Sequence, residues 1–90
     1  MEEVIEFTVE SAEGIIDCRM ERKNMRGEAT CTLIVLYPHL VNGTVMSKVY
    51  EYNLIQDPKT GRYTFSDDAL IHPAVKLLEK QISEAIIKNR

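Results

Sequence analysis

Four side chains in this sequence have the widest reach in chemistry: Cys18, Cys31, His39 and His72. Thiols spaced as CxxC, or set with histidines at ligand spacing, would hold zinc or exchange disulfides. Here each cysteine stands alone on its own predicted strand with no further ligand close by, so no metal site is expected. A nucleophilic thiol needs an accessible, electropositive setting. Both cysteines instead fall on the apolar side of an alternating pattern, the place of reduced core thiols.

The histidines need one geometric step. His39 and His72 fall near the same end of the predicted sheet, together with Asp67 and Asp68, and such a group could hold a metal weakly or work as an acid–base pair. The plainer reading is a loop histidine beside a helix-start histidine. No glycine-rich phosphate loop, nucleophile elbow or spaced metal motif occurs, so no catalytic residue and no cofactor is assigned.

The basic residues gather at the opposite end. Arg22, Lys23, Arg26, Lys59 and Arg62 form a candidate anion-binding end, joined by Lys88 and Arg90. Glu2, Glu3, Glu21, Glu28 and Asp57 fall at that end too, which reads as a mixed, solvated rim. A net charge of −3 and six carboxylates in the first seventeen residues argue further against general nucleic-acid binding. Tyr50 and Tyr52 fall on the face the helix covers, so they offer no base-stacking platform.

These side chains are positioned by a pattern that is easy to read. Residues 73–89 carry Val75, Leu78, Ile82, Ala85 and Ile86 at helical spacing, extended by Ile71 and Ala74. Pro73 suits the first helical position, because its missing N–H would be unpaired there anyway. Residues 4–10, 15–22, 29–41, 44–55 and 62–65 alternate as strands, punctuated by Gly14, by residues 23–27, by Asn42-Gly43 and by Asp57-Pro58-Lys59-Thr60-Gly61. Turn lengths predict that Phe7 pairs with Cys18, Cys18 with Cys31, Val35 with Tyr50 and Tyr52 with Phe65. All of these lie on one face, with Glu6 opposite Arg19 on the other. The expected fold is α+β: a five-stranded antiparallel meander in order 1-2-3-4-5 with one C-terminal helix packed on one face.

The outer face is less polar than a solvated sheet should be. Ile15 is expected opposite Ile34 and Leu36 opposite Val49, with Val45 nearby, which makes these five a candidate partner-binding face. Ninety residues, 44% hydrophobic and 28% charged, suit a single domain of residues 1–90 with its own core. The start Met1-Glu2-Glu3 is unlike a secretory signal, and the longest apolar run, residues 33–37, is too short to cross a bilayer. The expected setting is the cytoplasm, with no membrane partner. The expected function is a small non-enzymatic interaction or regulatory module acting through its outer face or an edge strand, as a homodimer or with another protein. The alternatives are a nucleic-acid or phosphate binder at the basic end, and a small-molecule binder or enzyme near His39 and His72.

Overall fold

Alternation of apolar and polar side chains builds every strand of the structure, a computed structural model that describes residues 2–25, 27–66 and 70–89, with the backbone alone for Glu2, Met25 and Glu28. Strands β1 (Glu2–Ser11), β2 (Gly14–Met25), β3 (Glu28–Val41), β4 (Thr44–Gln56) and β5 (Tyr63–Phe65) form one antiparallel sheet in order β1-β2-β3-β4-β5. Helices α1 (Pro73–Lys76) and α2 (Glu79–Lys88) follow. This is the α+β meander with a C-terminal helical layer that the sequence predicts.

One face of the sheet is the core. Ile16, Met20, Leu33 and Val35 are fully buried against Val75, Ile82 and Ile86 from the helices. Each such side chain contributes about 1.5–3 kcal/mol of transfer free energy, an upper bound because the unfolded chain already hides part of it.

The helical segment is not continuous, contrary to the expected single helix. At Leu77 and Leu78 the turn tightens, and the Leu78 N–H donates to the carbonyl of Val75 at 2.9 Å. Three residues per turn bring positions i and i+3 to the same side, so Val75 and Leu78 both reach the sheet while Leu77 is left outside. The N-terminus is as predicted: Pro73 sits in the first turn, and His72 caps it by accepting from the Ala74 N–H on Nδ1 at 3.1 Å.

The register follows prediction in the first and third hairpins, where Phe7 pairs with Cys18 and Val35 with Tyr50. In the second hairpin it does not. Strands β2 and β3 run on to close at Met25 and Glu28, so Cys18 faces Val35, and Cys31 faces Arg22. The last hairpin closes at Gln56 and Tyr63, which sets Leu54, not Tyr52, opposite Phe65. Both displacements are even in residue number, so every side chain keeps its predicted face.

Candidate interaction surface

The outer face is built by the residues that alternation turns away from the helices. Ile15 is 67% exposed, Val45 68% and Val49 62%, while Leu36 is less exposed and Ile34 half-buried. Leu36 stands opposite Val49 as expected. Ile15 does not stand opposite Ile34, because the shifted second hairpin puts Arg19 there. Arg19 in turn is engaged by Glu6 across the β1–β2 ladder at 3.9 Å and by Glu21 at 3.2 Å. Together Glu6, Thr8, Asp17, Arg19, Ile34 and Leu36 line an open concavity of about 570 Å³.

The sequence reading named Val45 and Val49 of this surface but missed Leu40, Val41 and Met46. Strand β2 pairs with β3 only as far as Asp17 and Leu36, whereas the β3–β4 ladder continues to Val41 and Thr44. The last third of that hairpin is a two-stranded arm that pairs only with itself. It turns at Asn42 and Gly43, both with positive φ (51° and 79°), as a tight two-residue hairpin requires. Apolar side chains are exposed on both of its faces: Leu40, at 71%, opposite Val45 on the outer face, and Val41 and Met46 on the inner one. The alternation past Leu36 carried this signal, since Pro38 and Leu40 continue the outer-face series.

The edges of the sheet differ. Strand β1 is an edge studded with carboxylates, Glu3, Glu6 and Glu10 among them. Strand β5 covers β4 only over Leu54–Gln56. From residue 44 to residue 52 no described residue pairs with the other side of β4, so among the described residues this nine-residue edge along the apolar arm is open. The inward-facing Lys48, whose ammonium lies 5.3 Å from the Tyr50 ring, and the outward-facing Glu51 are the two charges on that stretch.

The two histidines stand in different settings. His72 is a structural cap whose ring lies 5.6 Å from Tyr37 and 5.4 Å from Tyr50, and whose backbone N–H donates to the Tyr52 hydroxyl at 3.3 Å. His39 is exposed two positions further out along β3, opposite Met46. Asp67 and Asp68 lie outside the described residues. Among those described, no group of three or more His, Cys, Asp or Glu residues is placed to hold a metal ion. The Tyr37 hydroxyl donates to Glu13 Oε2 at 2.7 Å; that hydrogen bond to a carboxylate, with some desolvation, raises the pKa of the phenol.

At the basic end, Lys23, Lys59 and Arg62 are exposed, and Arg22 is half-buried with Nη2 3.5 Å from Gln56 Oε1. Arg26 and Arg90 lie outside the described residues, as do the side chains of Glu2 and Glu28. Burial, and secondarily the charge of Asp17, pushes the Cys18 thiol up to about 12. Cys31 is partly buried against the core. No described helix is long and apolar enough to cross a membrane.

Compared with known proteins, the chain matches no family model, no curated protein and no solved structure.

Proposed function

We propose that this chain is a non-enzymatic protein-interaction module whose contact surface is the outer sheet face and the β3–β4 arm that extends it. One observation carries the reading: the arm exposes Leu40, Val41, Val45 and Met46, with Val49 at its base, beside a β4 edge that no described residue pairs with. A contiguous apolar patch of this kind is uncommon on a protein that works alone, and a long apolar edge strand invites another strand. The arm contributes little to the core, so folding alone does not account for its composition. We take the module to work in the cytoplasm, where the buried Cys18 thiol stays reduced.

The test is the double variant Leu40→Lys with Val45→Lys. Both side chains are exposed, so the variant should keep the parent's circular dichroism and lose only about 0.2–1 kcal/mol of stability to the like charges set opposite one another. The parent should bind a protein partner, its own chain or another recovered from native lysate, and the variant should lose it. Equal recovery by both chains, with both sedimenting as monomers, overturns the reading.

A further inference from the structure

This inference rests on the reading of the arm as a contact surface and names its occupant. We propose that a second copy of the chain pairs antiparallel with the open edge of β4, about a two-fold axis at Ser47.

The backbone geometry shows what the edge offers. Pro38 stands opposite Ser47 in the β3–β4 ladder. Proline has no N–H to donate, so this position is the non-hydrogen-bonded kind, and the positions on either side of it alternate. By that alternation Val45, Ser47 and Val49 turn their N–H and C=O groups away from β3, towards the unpaired side of β4. An antiparallel strand laid there would meet three residues ready to pair.

Symmetry then selects the register. In a two-fold pairing each side chain must share a face with the one opposite, so one residue stands opposite its own copy. Centring on Lys48 sets two like charges face to face, which is destabilising. Centring on Val49 carries Val45 of the second copy to Asn53, whose carbonyl already accepts from the Ser66 N–H at 3.0 Å. Centring on Met46 shortens the overlap to residues 44–48. Centring on Ser47 pairs residues 44–50 in full: Val45 meets Val49 of the second copy twice over, Met46 meets Lys48, and Thr44 meets Tyr50. No like charges stand opposite one another.

Charge argues for the same occupant. Lys48 is the one charged side chain between residues 36 and 50, so the arm has no pattern that would select an acidic or a basic partner. A lone two-stranded hairpin is marginal in water, and pairing turns two such arms into one four-stranded ribbon. Seven residues span about 23 Å, and the contact falls short of the roughly 800 Å² per partner of a standard interface. The dimer therefore belongs to the weak class and is populated at high micromolar concentration.

Sedimentation of the full chain at high micromolar concentration, together with cysteine cross-linking, tests it. In the Ser47→Cys chain the two Cα atoms stand about 5.5 Å apart across the axis, within disulfide reach. In the Val49→Cys chain they are four positions out of register, about 13 Å apart. Under oxidised glutathione, Ser47→Cys should give a dimer linked through residue 47, and Val49→Cys should not. A parent chain that stays monomeric, a Ser47→Cys chain that fails to link, or a Val49→Cys chain that links as fast overturns the proposal. The arm still stands as a contact surface if the Leu40→Lys with Val45→Lys variant then loses a different partner, and it falls with this proposal if no partner is lost.

Discussion

Ser83 Oγ accepts a hydrogen bond from the backbone N–H of Tyr63 at 2.9 Å, inside the interface between α2 and β5. Ser83 is the one buried polar residue of the described core, and it faces the shortest strand of the sheet. Glu79 repeats the device one turn earlier, accepting from the Phe65 N–H at 3.0 Å. Three residues of ladder are a weak hold for a strand, and these two side chains tie β5 to the helix as well.

Replacing Ser83 by Ala removes a buried acceptor and should cost about 1–2 kcal/mol, a fall of several degrees in melting temperature for a domain of this size. Hydrogen exchange at the Tyr63 amide should accelerate by more than exchange in β2. A variant as stable as the parent, with unchanged protection at Tyr63, would show that the ladder alone holds β5.

The alternation argued from Pro38 makes a separate prediction within one chain. The N–H of Ser47 faces away from β3, so Ser47→Pro should cost no more than about 1 kcal/mol, while its ring blocks the open edge. Lys48→Pro removes a hydrogen bond of the β3–β4 ladder and should cost about 2–3 kcal/mol. Chemical denaturation of the two variants decides the matter. Equal losses would mean that the hydrogen-bonding phase of β4 is the reverse of the one argued.

Faces were legible in the sequence and strand ends were not, for a physical reason. A period of two fixes which side a residue faces wherever the strand begins, so Ile16, Cys18, Leu33 and Val35 are core whatever the loop length. Register depends on turn chemistry. Asn42-Gly43 specifies its turn, and the pairing of Val35 with Tyr50 follows. The stretch after Arg22 carries no comparable signal, and the strands zip further than expected, to Met25 and Glu28. The arm was missed because alternation within β3 says nothing about where β2 stops beside it. Likewise the tight turn at Leu78 preserves the apolar spacing of a continuous helix and leaves no mark on the pattern.

At the basic end the expected outcome is an absence of binding. An electrostatic nucleic-acid binder loses affinity steeply with salt, by about one counterion for each phosphate neutralised. Lys23, Lys59 and Arg62 are exposed, but Arg22 lies within reach of Gln56 and the chain is acidic overall. Titration with single- and double-stranded oligonucleotides at physiological salt should show nothing above background. Micromolar binding that disappears in the Arg22→Glu with Lys23→Glu variant would reverse the ranking of functions.

The Cys18 thiol gives the fold an alkaline limit. Burial raises its pKa from 9.0 to about 12, so at pH 8 only about one thiol in ten thousand is ionised, and labelling of Cys18 in the native chain should be slow until it unfolds. Below pH 9 the thiol is neutral in both states and stability does not depend on it. Above pH 9 the unfolded chain loses the proton while the native chain keeps it, so the unfolded state binds fewer protons and stability falls as pH rises. The Tyr37 phenol, raised by its hydrogen bond to Glu13, adds a slope of the same sign. Cys18→Ala should be less stable than the parent at pH 7, by about 1–2 kcal/mol for lost packing, and the gap should narrow steadily from pH 9 upward. Urea denaturation of both chains from pH 7 to pH 11 measures this directly. Parallel stability curves across that range would mean that Cys18 ionises in the native state as readily as in the unfolded one, and that it is not the core thiol described.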